Sequence, residues 1–213
     1  MQPKRRIVHA LGSTFVLIAG NTLAHDLTPP PWRSDSGSTF QHWQFNAPGG
    51  GLPDSGVHNP YGPPSFNPNP NATWDATDPS GQLNGVYFIL FDWDLSFSVP
   101  NHGAAGHQKE LWLQFTYVTS DGIGPASSVF PATGSATLQS ISAIDLGGGV
   151  YHELHIYSLS ECPQWETVSL RPGSVGSPSW VDQVVIDTRC VIPAPGSLAL
   201  LGCGSLLAMR RRR

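Results

Sequence analysis

Glycine and proline recur so densely through the middle of this chain that no segment there keeps a helical period. Of the 213 residues, 23 are Gly and 20 are Pro. Proline removes a backbone donor and clashes with the preceding turn, and glycine weakens the interior of any regular element. What fits between such breaks is short and extended. Val86 to Phe91 is a continuous apolar run, as expected of a strand covered on both faces. Lys109 to Tyr117 alternates, with Leu111, Leu113, Phe115 and Tyr117 on one side and Trp112, Gln114 and Thr116 on the other. In Val150 to Tyr157 the residues Val150, Leu154 and Ile156 oppose Tyr151, Glu153, His155 and Tyr157. Thr137 to Leu146, Trp165 to Leu170 and Trp180 to Cys190 complete the set, with turn clusters between them at 122–125 and 147–149. The pattern predicts an all-β antiparallel β-sandwich, jelly-roll-like, with about seven or eight strands across residues 83–190. No internal repeat argues for a propeller or solenoid.

Upstream the composition changes. Residues 28–80 hold 11 of the 20 prolines, which argues against helices and central strands there. Aromatic rings punctuate the stretch: Trp32, Phe40, Trp43, Phe45, Tyr61, Phe66 and Trp74. Disordered segments are poor in such residues. Residues 25–82 are therefore expected to form a Pro/Gly-rich strap pinned to the core by its rings.

Charge separates the ends from the body. Lys4, Arg5 and Arg6 with Arg210, Arg211, Arg212 and Arg213 are seven of the 11 basic residues, whereas all 15 acidic residues lie between Asp26 and Asp187. The stretch between the basic ends keeps only Arg33, Lys109, Arg171 and Arg189 against 15 acids, a net of −11 with histidines neutral. A body this acidic excludes nucleic acid as a partner, since that affinity comes from neutralising phosphates. It suits a soluble, self-repelling extracellular protein, or one bathed in divalent cations. At the N-terminus, the basic residues precede an apolar stretch from Ile7 to Ala19, and Thr22-Leu23-Ala24 supplies small residues for cleavage. Residues 1–24 read as a short helical signal peptide cut after Ala24 by signal peptidase. The apolar stretch, interrupted by His9 and by Ser13-Thr14, is about 13 residues and reaches only about 20 Å, short of a ~30 Å hydrocarbon core.

The C-terminal residues 191–213 form a second membrane-directed signal. Pro193-Ala194-Pro195 is followed by 14 apolar or small residues, Gly196 to Met209, and then by Arg210, Arg211, Arg212 and Arg213. By the positive-inside rule these four arginines stay in the cytoplasm and leave the body outside. The tripeptide, the short hydrophobic helix and the arginine end resemble the PEP-CTERM sorting signal, with alanine where that family usually has a central acid. The resemblance covers about 23 residues. It implies that an exosortase, a membrane-embedded cysteine transpeptidase-like enzyme, cuts near Pro193 to Pro195. The body would be held transiently by its tail and then passed to the cell surface or the extracellular matrix.

Export changes the meaning of the cysteines. Cys203 lies in the tail, so the body keeps Cys162 and Cys190, which in an oxidising compartment read as a disulfide. The alternative is a pair of buried thiols. Closing that loop is worth about 3.5 kcal/mol in the chain-entropy model. Catalysis finds no constellation. There is no nucleophile elbow, and Asp92 and Asp94, on one side of a strand, lack the spacing of a glycosidase pair. His152 and His155, three apart, fall on opposite faces of a strand, and His102 and His107 sit in a loop. Asp75, Asp78 and Ser80 offer oxygen ligands for a structural calcium ion, against ordinary Asx turns; no other metal or cofactor is expected. The remaining candidate is a binding face. Trp112 and Gln114 beside Tyr151, Glu153, His155 and Tyr157 would suit the rings of an extracellular polysaccharide. The same residues could equally be a second packed face, or rings covered by the strap. The expectation is an exported, non-enzymatic structural or interaction protein, with a carbohydrate-binding module as the alternative.

Overall fold

The computed structural model describes residues 26–192. The signal peptide with its cleavage residue Ala24 lies outside the described residues. So does the sorting tail, with Pro193, Ala194, Pro195, Arg210, Arg211, Arg212 and Arg213. Among the described residues there is no helix. Twelve strands run in chain order: β1 (Thr39–Trp43), β2 (Gly56–His58), β3 (Ser65–Pro68), β4 (Thr73–Thr77), β5 (Asn84–Ile89) and β6 (Leu95–Pro100). They continue as β7 (Gln108–Thr119), β8 (Ala126–Pro131), β9 (Ala136–Gly147), β10 (Val150–Leu159), β11 (Trp165–Arg171) and β12 (Ser179–Val191).

These strands make two antiparallel sheets, the β-sandwich expected from the alternation. The larger runs β2-β1-β12-β7-β10-β9, with β5 also on β12 and β4 on β5; the smaller runs β3-β6-β11-β8. Leu111, Leu113, Phe115 and Tyr117 of β7 all turn inward, as their period-2 spacing dictates, and are 0–3% exposed. They meet Leu95, Phe97 and Val99 of β6 and Val168 and Leu170 of β11 in one core. Val86 to Phe91 is covered on both sides where it forms β5: Tyr87 and Ile89 enter this core, while Val86 joins Leu83, Val118 and Val150 in a smaller cluster behind the sheet.

The proline-rich segment is built more deeply into the fold than a strap. It supplies β1 to β4, and β1 lies inside the larger sheet between β2 and β12. The prolines flank β1 without entering it, so its backbone donors stay available to both neighbours. Trp43, Phe45 and Phe66 are 2–4% exposed and pack with Tyr87 and Phe97. Phe45 adopts φ 54, a conformation that costs a non-glycine residue energy. Its ring lies 5.0 Å from Phe66 and 5.1 Å from Tyr87, inside the core cluster.

The polar contents of the sandwich are equally specific. Lys109 Nζ lies 2.8 Å from Glu166 Oε2 with both side chains fully buried. Asn101 donates to the same oxygen and accepts from Thr188, whose hydroxyl meets Thr39. Burial draws the Lys109 ammonium down and the Glu166 carboxyl up, and each partner's charge opposes the shift. Removing one partner strands the other charge, whereas removing both does not. Lys109→Met alone should lose about 3–5 kcal/mol in urea unfolding. Lys109→Met with Glu166→Gln should recover most of that loss; an equal loss in the double variant would contradict the pairing.

Candidate functional site

The face expected to bind a ligand divides in two. In the β7–β10 register Trp112 stands opposite Ile156 and Gln114 opposite Leu154, whereas Tyr151, Glu153, His155 and Tyr157 stand opposite Tyr117, Phe115, Leu113 and Leu111. Directly paired residues share a face, so Trp112 and Gln114 point outward and the other four point between the sheets. A one-residue difference in register separates the two outcomes.

The outward pair is covered by the start of the described chain. Thr28 N–H donates to Gln114 Oε1 at 3.0 Å, and Gln114 Nε2 donates to Asp26. Trp32, 4% exposed, packs edge-on against Trp112 at 6.0 Å. Arg33 donates through Nε and Nη2 to both oxygens of Asp187, at 2.5 and 2.6 Å, and through Nη1 to Asp26. Arg189 lies 4.7 Å over the Trp32 ring and bonds Glu110, whose other oxygen accepts from Trp112 Nε1. Trp112 and Gln114 therefore anchor the strap, and no open sugar platform exists there.

Tyr157, His155 and Glu153 of the inward four build a hydrogen-bonded relay with Ser127 and Tyr117, beside a cleft of about 370 Å³ lined also by Pro125, Leu138 and Ile141. Ser127 Oγ lies 2.6 Å from Tyr157 Oη and 2.5 Å from His155 Nδ1. His155 Nε2 lies 2.7 Å from Glu153 Oε2, and Tyr117 donates to Glu153 Oε1 at 2.6 Å. Tyr151 stacks on Tyr117 at 5.7 Å. Burial works to raise the Glu153 carboxyl, but the bonds from His155 and Tyr117 outweigh it and hold the group below the usual glutamate range. Burial, with the neighbouring Glu153, pushes the Tyr117 hydroxyl up. Hydroxyl, imidazole and carboxylate in series is an order used in nucleophilic catalysis. Here His155 is only 3% exposed and Ser127 Oγ already lies between two partners, so the chain ties β8 to β10 across the sheets. Nothing in the sequence links Ser127 to His155; sheet packing alone brings them together.

The other expected groups fall as follows. Asp92 and Asp94 occupy the β5–β6 turn and not a strand, with Asp94 receiving Ser169. His152 and His155 do face opposite ways, His152 meeting Thr116 on the outer side. Asp78 accepts from Ser80, Gln82 and Leu83 as an Asx turn does, and Asp75 lies on β4. Among the described residues no group of three or more His, Cys, Asp or Glu side chains is placed to hold a metal ion. Cys162 and Cys190 are joined, with Cα atoms 5.7 Å apart.

An aromatic face that the sequence reading did not single out lies on the smaller sheet. Phe130 stands opposite Thr167, two residues from Trp165, and the two rings are 53% and 49% exposed. Ser65, Ser98 and Thr167 share that surface, and Trp165 also borders a recess of about 670 Å³ with Thr133, Glu161 and Gln164. The chain matches no protein-family model and no curated protein.

The relay makes a pH prediction. A carboxyl depressed in the fold stabilises above its unfolded value of about 4.3 and loses that contribution as pH falls through the folded value. Glu153→Gln should flatten the acid loss of stability followed by thermal melting below about pH 4.3. Ser127→Ala should cost about 1–3 kcal/mol, because His155 and Tyr157 lose a shared partner. An unchanged acid limb in the glutamine variant would remove the relay from the account.

Proposed function

We propose that this protein is an exported structural or interaction protein, delivered to the cell surface or extracellular matrix by a PEP-CTERM-type route and without catalysis of its own. The observation that carries the reading is the Cys162–Cys190 pair. Disulfides persist in oxidising compartments, and this one ties the last strand at a residue three positions before Pro193. A tail held in a membrane would pull on the chain at that point, and the bridge passes the load to the body. Signal peptidase and an exosortase-like enzyme are the processing partners on this reading. Mass spectrometry of the surface fraction from the native host tests it. The expected body begins at His25 and lacks Arg210, Arg211, Arg212 and Arg213; an intact chain in the cytosol would refute the route.

A second reading, a carbohydrate-binding module for extracellular polysaccharide, is favoured by Trp165 and Phe130 and no longer by Trp112. Adjacent exposed rings on a hydroxyl-rich sheet offer apolar surface for sugar faces and hydrogen bonds for their edges. On a glycan array Trp165→Ala should abolish any binding, while Trp112→Ala should act only through stability.

A further inference from the structure

β9 is the exposed edge of the larger sheet, and its chemistry differs from every other edge. It runs 12 residues, Ala136–Gly147, with β10 on one side and, among the described residues, no strand on the other. The remaining edges are short or end in proline: β2 has three residues, β3 four ending at Pro68, β4 five, and β8 six ending at Pro131. Natural sheets blunt their edges by shortness, proline, lysine or bulges, because unpaired N–H and C=O groups recruit another strand. β9 has no proline and no basic residue, and its one charge is Asp145. Register shifts against β10 fall near its two ends, leaving Ser140 to Asp145 as an unbroken, regularly paired run. Leu138, Ile141 and Ile144 along it are 41%, 55% and 45% exposed.

Charge decides what the edge accepts. The body carries 15 acids against four basic residues, so most of its surface repels a second copy. β9 is an almost neutral window in that surface. Parallel pairing of two copies would set Asp145 beside Asp145. Antiparallel pairing about Ser142 instead places Ser140 opposite Ile144, Ile141 opposite Ala143 and Asp145 opposite Gln139. The two Asp145 carboxylates then lie roughly 20 Å apart, beyond the ~8–10 Å over which exposed charges interact in physiological salt.

We propose that β9 pairs with β9 of a second copy, antiparallel about Ser142, joining two eight-stranded sheets into one continuous ladder. This deepens the structural reading above by naming the partner, and it is measured on purified protein. A failure to pair therefore leaves the export route standing, and a cytosolic location leaves the pairing standing. The test uses the full chain in mild detergent with Cys203→Ser. Ser142→Cys should cross-link to a dimer with a short bismaleimide, since the two residues would face each other directly. Val57→Cys, 56% exposed on β2, should remain monomeric. In sedimentation Ser142→Lys and Ser142→Glu should each be monomers, because like charges would meet on the two-fold axis, and mixing them should restore the dimer. Equal cross-linking at residues 57 and 142, a wild-type chain that stays monomeric at every concentration, or a lysine–glutamate mixture that stays monomeric would each overturn the proposal.

Discussion

The fold depends on β12, the last strand among the described residues and the middle of the larger sheet. Along one side β12 pairs with β7 from Ser179 to Val191; along the other it pairs first with β5 and then with β1. The change of partner coincides with a bulge at Asp182, where the ladder with β7 shifts register between Val181 and Gln183. A bulge increases local twist, here at the point where β12 exchanges β5 for β1 as its neighbour. Val181, Val184 and Ile186 are fully buried, so the same strand also carries the centre of the core. Without it, β1 and β5 lose the partner that joins them to β7, and the two halves of the chain have no common sheet.

Cations are scarce in this body, and three of the four are committed. Arg33 holds Asp187 on the outer side of β12, Lys109 holds Glu166 inside the sandwich, and Arg189 holds Glu110 at the sheet surface. Two of those pairs include residues of β12 itself. Asp35, Asp54, Asp92, Asp121, Asp145 and Glu161 stay exposed, a surface excess of negative charge that disfavours the close approach of like copies.

Much of this was legible in the sequence, and the failures have a common cause. The alternation of Leu111, Leu113, Phe115 and Tyr117 fixed the inner face of β7, and the double-sided run in β5 was visible as a block of apolar residues. Local periodicity says which residues of a strand share a face. It does not say how neighbouring strands register, so Trp112 and Tyr151 could be placed on one surface when the pairing separates them. The same limit hid the Ser127–His155 contact and the Phe130–Trp165 face, which exist only after sheets form. In the proline-rich segment the density of breaks masked β1, whose five residues contain no proline and a fully buried Gln41. Trp43, Phe45 and Phe66 of that segment belong to the core proper.

Whether the body matures outside the cytoplasm rests on the chemistry of two sulfur atoms. Intact cells of the native host can be treated with a thiol-alkylating reagent, and the recovered protein analysed for mass before and after reduction. The account predicts that Cys162 and Cys190 escape alkylation until a reductant is added, then take up two labels together. Free labelling of both residues without reduction, on a chain recovered from the cytosol, would contradict it.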